Sequence, residues 1–225
     1  MGEPSLHAPA GTDRTGELSL TPGPAATAPH GDVTLAILAG GRGRRLGGVA
    51  KGLLQRGGQP LLAHLLTLAP RFAEALLVTS DPAPYAGFAV RTVPDVVPDR
   101  GAPGGVQAAL AHAHTVWVLV VAADMPFVSA PVVERLLAER SDGVDAVGFE
   151  VDGRLEPLLA CYRAALAHGW QEALVHGPSL RELWQRVRTR RLGKAALLEV
   201  DPLGRAALSV NTPEEAAALS ITMPP

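Results

Sequence analysis

A glycine-rich, basic segment at residues 38–51 directly follows a short apolar run at residues 33–38. It contains five glycines and four cations, namely Arg42, Arg44, Arg45 and Lys51. Glycines allow a backbone to approach a ligand closely and to turn its N–H groups toward an anion. Guanidinium and ammonium groups match the oxygens of phosphates. The segment therefore predicts a polyphosphate-binding loop at the end of a strand, which favours a nucleotide-handling enzyme.

The spacing of this loop excludes the two commonest phosphate-binding fingerprints. A P-loop ends in Gly-Lys-Ser/Thr, whereas Lys51 is followed by Gly52. The dinucleotide fingerprint needs a third glycine three residues after the second, and here Leu46 stands at that distance from Gly43. A flexible basic surface loop is the alternative interpretation, but a glycine loop at a strand end usually marks a site.

A carboxylate, Asp124, follows residues 115–122, the most apolar strand pattern of the chain. Ligands of open α/β sheets bind beyond the carboxyl ends of the strands, which is where this residue falls. Asp is a hard oxygen ligand of the kind that Mg²⁺ prefers when the ion also bridges phosphate oxygens. An Asp that only caps the turn is the alternative, and the pairing with a phosphate loop favours the metal ligand.

A third polar group, Asp95, precedes a helix that opens with glycines at residues 101–105. A helix N-terminus offers backbone donors to an anion, and the carboxylate of Asp95 could accept hydrogen bonds from a base or a ribose. Asp99 competes for this role, but it lies between Pro98 and Arg100 and is typical of a turn.

Alternating strand and helix patterns position these groups. Strands are predicted at residues 33–38, 75–79, 88–93 and 115–122, and helices at 60–68, at 105–114 and after Ser129. This alternation predicts an α/β fold with a mostly parallel central sheet flanked by helices. The second half adds a hairpin at residues 146–162 with an Asp-Gly turn, and two helices capped by Ser179 and by Thr212 with Glu215.

Composition narrows the class of protein. A chain of 225 residues with net charge −2 has no global basic field, so it is not expected to bind nucleic acid. No apolar run is long enough to cross a membrane, no signal peptide is recognisable, and a cytoplasmic location is the default expectation. The single cysteine, Cys161, is interpreted as buried filler rather than a catalytic thiol. Residues 1–31 are interpreted as a disordered extension before a domain at residues 32–225.

Several short motifs together resemble the molybdenum cofactor guanylyltransferase family, over about residues 33–219. They are Leu-Ala-Gly-Gly at 38–41 with its continuation to Lys51, Gly-Leu-Leu at 52–54, Gly-Gln-Pro-Leu at 58–61, Ala-Asp-Met-Pro at 123–126 and Val-Asn-Thr-Pro-Glu at 210–214. The resemblance implies a Rossmann-like nucleotidyltransferase domain. It also implies GTP as donor and molybdenum-bearing molybdopterin as acceptor, with a guanine dinucleotide cofactor and pyrophosphate as products.

The resemblance also assigns roles to residues. It implies that GTP is contacted by Leu38, Ala39, Gly40, Gly41, Lys51 and Asp95. It implies that Asp124 binds both the nucleotide and Mg²⁺. Arg45 and Asn211 are implied to lie toward the transfer centre and the pterin, with Lys51, Asp124 and Arg45 as the catalytic set. Molybdopterin-carrying proteins or molybdoenzymes are further candidate partners, and a monomer is one option for the assembly.

Three positions depart from the family pattern. Ala50 stands where members usually have Asp, Pro178-Ser179-Leu180 replaces a pair of arginines, and Ser209 replaces the first Asn of Asn-x-Asn-Thr-Pro. The alternatives are a molybdopterin cytidylyltransferase, a sugar-phosphate nucleotidyltransferase or a non-catalytic nucleotide-binding module. The glycine pair Gly40-Gly41 favours guanine by resemblance, and the presence of Lys51 and Asp124 argues against loss of activity.

Overall fold

The computed structural model describes residues 28–40, 44–97 and 99–224 of the chain. Residues 1–27 of the extension that was predicted for residues 1–31 therefore lie outside the described residues. The first strand begins at His30, slightly before the predicted start of the domain at residue 32.

The described residues form ten strands and seven helices, joined by short 3₁₀ turns. The strands are β1 (His30–Leu38), β2 (Gln55–Arg56), β3 (Gln59–Pro60), β4 (Phe72–Val78), β5 (Arg91–Val93), β6 (Trp117–Ala122), β7 (Ala146–Val151), β8 (Arg154–Arg163), β9 (Thr189–Gly193) and β10 (Ile221–Thr222). The helices are α1 (Leu61–Leu66), α2 (Gly101–His112), α3 (Ala130–Leu137), α4 (Ala167–Leu174), α5 (Leu180–Trp184), α6 (Lys194–Val200) and α7 (Pro213–Ala218).

Seven strands make the central sheet, in the order β5-β4-β1-β6-β8-β7-β9. The pairs β5–β4, β4–β1, β1–β6 and β7–β9 are parallel, whereas β8 runs antiparallel to both β6 and β7. This confirms the α/β fold with a mostly parallel sheet, and β6 lies in the middle of that sheet. The two antiparallel pairs arise because the hairpin strand β8 lies between β6 and β7.

The strand β6 is apolar throughout, and β1 is apolar from Val33 to Leu38 apart from Thr34, because both faces of the sheet are covered there. Along β1, Val33, Leu35 and Ile37 belong to one buried cluster, while Ala36 and Leu38 belong to the other. Helices α1, α3 and α6 pack on the first face and α2, α4 and α5 on the second. Alternate side chains therefore enter opposite cores, which removes the polar–apolar alternation of a one-sided strand.

Several predicted elements differ from the observed ones at their ends, β5 and α2 among them. The strand predicted at residues 88–93 is β5, which covers only Arg91–Val93. The residues before it form turns, in which the Phe88 N–H donates to the Tyr85 carbonyl. Helix α2 begins at Gly101 rather than at residue 105. Pro103 is tolerated in its first turn because the N–H groups there have no partner within the helix.

A small sheet, β10-β2-β3, lies beside the main one and has its own apolar cluster. The cluster joins chain segments that are distant in sequence, through Leu46, Leu54, Leu61, Val210, Ala216 and Ile221. It therefore fixes the loop that carries Lys51 against the segment that carries Asn211.

The lone cysteine, Cys161, is fully buried in β8. Burial raises the pKa of its thiol to about 12, so a reactive thiolate is not expected at neutral pH. This agrees with the interpretation of Cys161 as filler.

No described helix combines the length and the apolar character needed to span a bilayer.

Candidate active site

A cleft of about 490 Å³ lies at the carboxyl edge of the central sheet. The chain reaches it from the ends of β1, β5 and β6, from the start of α2, and from β8. Most residues that the sequence singled out line it, namely Leu38, Ala39, Gly40, Lys51, Asp95, Asp124 and Asn211. Gly41 lies outside the described residues.

Three of these side chains meet at one ammonium group. Lys51 Nζ donates to Asp124 Oδ2 at 2.6 Å and to Asn211 Oδ1 at 2.6 Å. The three residues are far apart in sequence, so only the fold brings them together. The result is a mixed-charge centre in which a cation and a carboxylate share one edge of the cleft.

The backbone around Asp124 is held by main-chain hydrogen bonds. Ala123 N–H donates to the Leu38 carbonyl at 2.9 Å, which extends the β1–β6 ladder by one step. Val210 N–H donates to the Asp124 carbonyl at 2.9 Å and so ties the following segment to the site. The Asp124 side chain is largely buried, which limits its freedom before any ligand arrives.

Lys51 begins a 3₁₀ turn, Lys51–Leu53, that is packed closely against the sheet edge. The next residue must be small, since a Cβ on Gly52 would lie 3.0 Å from Tyr85 Cε1. Ala50 is half-buried against the core, and its carbonyl accepts from Leu53 N–H at 2.8 Å. The turn that presents Lys51 therefore forms with an apolar residue at the position where the family usually has Asp.

A capping box at the start of α7 orients Asn211. The Thr212 side chain accepts from Glu215 N–H while the Glu215 carboxylate accepts from the N–H groups of Thr212 and Asn211. Asn211 Nδ2 donates to Ser209 Oγ at 2.9 Å, which directs the amide oxygen toward Lys51. Ser209, a departure from the family pattern, thus supplies an acceptor of its own.

Asp95 lies on the β5 side of the cleft, where α2 approaches closely. A Cβ on Gly105 would lie 3.4 Å from Leu38 Cδ1 and 3.9 Å from Asp95 Oδ1. Burial, and then the charge of Asp99, raises the pKa of the Asp95 carboxyl. A ligand that donates hydrogen bonds would offset this burial cost, as the edge of a base can.

Arg45 is the predicted residue that is not found at the cleft. It lies in a 3₁₀ turn, Arg44–Leu46, with its side chain exposed and outside the lining residues. Its catalytic role stays a prediction.

Sequence reasoning missed Glu156, Pro157 and Leu158 of β8, which also line the cleft. Leu180, one of the residues that stand in place of the family's arginines, also lines the cleft, directly after the helix-capping Ser179. The sequence showed only that the β8 residues begin the second strand of the predicted hairpin. A strand pattern does not show where the pairing register shifts, so it could not show that these residues reach the cleft.

A Rossmann-like sheet with a glycine loop after β1 and a lysine–carboxylate centre at its carboxyl edge defines an α/β nucleotidyltransferase. The comparisons with known proteins agree. The model of the MobA-like NTP transferase domain matches residues 35–200, and the chain belongs to the molybdenum cofactor guanylyltransferase family.

Three relatives show the extent of the similarity. The molybdenum cofactor guanylyltransferase of Serratia proteamaculans is 36% identical over 152 residues, which cover 66% of this chain and 76% of the relative. That of Pseudomonas putida is 32% identical over 169 residues, 74% of this chain and 83% of the relative. The crystal structure of molybdopterin-guanine dinucleotide biosynthesis protein A from Archaeoglobus fulgidus is 27% identical with a TM-score of 0.71, covering 82% of this chain and 95% of that one.

Proposed function

We propose that this protein transfers GMP from GTP to molybdenum-bearing molybdopterin, forming the guanine dinucleotide cofactor and releasing pyrophosphate. The observation that carries the proposal is the convergence of Lys51, Asp124 and Asn211 at the carboxyl edge of the sheet, beside the loop after β1. Family membership and the names of the relatives support the choice of donor and acceptor.

Transfer of a nucleotidyl group to a phosphate requires neutralisation of negative charge rather than a protein nucleophile. An oxygen of the acceptor phosphate forms a bond to the α-phosphorus of GTP, and the bond to the bridging oxygen breaks. Pyrophosphate leaves with that electron pair. Because the attacking phosphate is already anionic, no strong general base is needed. Lys51 and the N–H group of Gly40 stabilise the added negative charge, and Asn211 orients Lys51. The N–H of Ala39 does not contribute, because it donates to the Val78 carbonyl.

The donor set of the cleft fits a hard divalent cation. The described lining holds the carboxyls of Asp95, Asp124 and Glu156 against a single described cation, Lys51, so a polyanion would gain from an accompanying metal ion. The described residues contain no cluster of three or more His, Cys, Asp or Glu side chains that could hold a metal. A bound ion would thus take most of its ligands from phosphate oxygens and water, as Mg²⁺ does in nucleotide sites. Asp124 would hold Mg²⁺, which supplies charge neutralisation at the phosphates.

Incubation with Mg²⁺, molybdopterin cofactor and each nucleoside triphosphate in turn tests the donor. We expect pyrophosphate and dinucleotide with GTP only. Product with CTP alone would instead identify a cytidylyltransferase, and binding without turnover would identify a non-catalytic module.

The variant Asp124→Asn tests the centre. Loss of one electrostatic contact at a transfer site lowers kcat by about 10²–10³-fold, and circular dichroism should stay unchanged. Asp142→Asn is the matched control because that side chain is fully exposed and lies outside the cleft. Full activity of Asp124→Asn would refute the assignment.

A further inference from the structure

The strand β8 carries a bulge where it reaches the cleft. Its pairing with β7 changes from Gly148↔Ala160 to Glu150↔Leu155, so residues 156–159 stand opposite the single residue Phe149. Extra residues in one strand bend it and re-aim its side chains, and such bulges occur often beside active sites.

Residues 156–158 of the bulge lie past the last residue of β6 that pairs with β8. Leu159 pairs with Val121 near the carboxyl end of β6, and β8 runs antiparallel to β6. The residues before Leu159 therefore continue past that end. Glu156 is among them and lines the cleft.

Buried aromatic residues hold the bulge in place. The Tyr162 hydroxyl donates to the Pro157 carbonyl at 2.5 Å and accepts from Trp184 Nε1 at 2.8 Å. Trp184 in turn lies against Gly148, where a Cβ would come within 2.7 Å of its ring. The residue next to Glu156 is thus fixed by a fully hydrogen-bonded network, which is how a binding side chain is held in position.

The carboxyl of Glu156 is half-buried, and burial raises its pKa more than the charge of Arg154 lowers it. A ligand that donates N–H groups would compensate for that cost. The carboxyl of Asp95, on the β5 side of the cleft, is also half-buried, and burial raises its pKa as well.

The strand order places these two carboxyls on opposite sides of the centre. Asp95 follows β5, Asp124 follows β6 in the middle, and Glu156 belongs to β8 on the far side. The following inference presupposes the proposed function, in which GTP is the donor. The family resemblance implies that Asp95 contacts GTP, and the N–H edge of the base suits its half-buried carboxyl. The side of Glu156 is then left for the acceptor.

We propose that Glu156 selects the acceptor by accepting hydrogen bonds from the 2-amino-4-oxopyrimidine edge of a pterin. That edge presents two adjacent N–H donors, which suit the two oxygens of a carboxylate. Guanine has the same edge, so the cleft uses one carboxyl on each side of the transfer centre, Asp95 for the donor and Glu156 for the acceptor.

The test compares Michaelis constants in Glu156→Gln, Asp95→Asn and the wild type. Glutamine keeps the shape but offers one acceptor instead of two, and a bidentate contact of this kind is worth about a tenfold to a hundredfold in binding. Glu156→Gln should raise KM for molybdopterin by about that factor and leave KM for GTP unchanged. Asp95→Asn should do the reverse. Glu172→Gln, at an exposed position on α4, is the control that should change neither.

A binding measurement makes the test independent of turnover. Quenching of the fluorescence of a pterin monophosphate, titrated with protein without nucleotide, should show the same weakening in Glu156→Gln. A raised KM for GTP, a lowered kcat with unchanged KM for the acceptor, or unchanged pterin binding would each overturn the role of Glu156. A wild type that binds pterin in a Glu156-dependent way but transfers nothing would refute the proposed function alone. Thermal melting confirms that each variant is folded.

Discussion

Replacing Tyr162 with Phe removes one hydroxyl group from the network that holds the bulge of β8. This side chain is fully buried, and its hydroxyl joins Trp184 Nε1 to the Pro157 carbonyl. Phe keeps the ring and its edge-to-face contacts with Trp170 and Trp184, at centroid distances of 5.4 Å and 5.7 Å. The variant therefore isolates the two polar contacts.

The magnitude follows from the groups that lose their partner. In the variant, Trp184 Nε1–H loses its acceptor and the Pro157 carbonyl loses its donor. Each buried unsatisfied group lowers the free energy of unfolding by about 1–3 kcal/mol. Part of this is offset, because the variant no longer buries a hydroxyl, so a net loss on the order of 2–3 kcal/mol is expected. For a chain of this size, that corresponds to a fall in Tm of about 4–12 °C.

Thermal and urea denaturation measure the effect, with Tyr85→Phe as the matched control. Tyr85 is also buried, but its hydroxyl makes no hydrogen bond of good geometry among the described residues, although the Gly52 backbone faces it. Its loss should be neutral or slightly stabilising. The bulge should also loosen in Tyr162→Phe, so KM for the acceptor should rise while KM for GTP stays the same. Equal melting temperatures for the two variants would refute the reasoning.

Two further variants examine the elements around the site. Gly148→Ala places a Cβ 2.7 Å from Trp184 Cη2 and should cost about 1–3 kcal/mol of unfolding free energy. Gly143→Ala meets no atom within 4 Å and should stay within about 0.5 kcal/mol in the same urea titration. Thr212→Ala removes the cap that accepts from Glu215 N–H and should cost about 1 kcal/mol. Thr212→Ser should restore that stability, and failure to do so would contradict the capping role.

The parts of the fold that the sequence predicted correctly depend on local rules. The turn at Asp152-Gly153 has φ values of 50° and 74°, which an Asp-Gly pair adopts at low cost. The capping box of Thr212 and Glu215 is present because both partners lie within one helical turn. The buried strands β1 and β6 were visible as apolar runs because both of their faces are covered.

The parts that it did not predict depend on contacts between distant segments. The hairpin β7–β8 could have joined the sheet next to other strands, and no local sequence pattern specifies that β8 pairs with β6. The strand ends predicted that the loop and Asp124 share one edge of the sheet, and the family resemblance added Asn211. The direct contacts of Lys51 with Asp124 and Asn211 were not predicted. The bulge before Leu159 needs both neighbouring strands, since only the change of register along β7 reveals it. Glu156 therefore looked like an ordinary strand residue.

The antiparallel direction of β8 has a consequence for the site. A parallel neighbour of β6 would end at the same edge and leave into a loop, so only loop residues would lie above the centre. An antiparallel neighbour enters from beyond that edge, so the residues of β8 that precede its pair Val121↔Leu159 lie past the end of the β6 ladder. The donor side of the cleft is thus formed by strand ends, loops and a helix start, whereas Glu156 on the other side is carried by a strand. Glu156 itself is unpaired, but the pairs at Leu155 with β7 and at Leu159 with β6 hold the bulge on both sides, so acceptor selection should depend on the register of β8 as much as on the identity of Glu156.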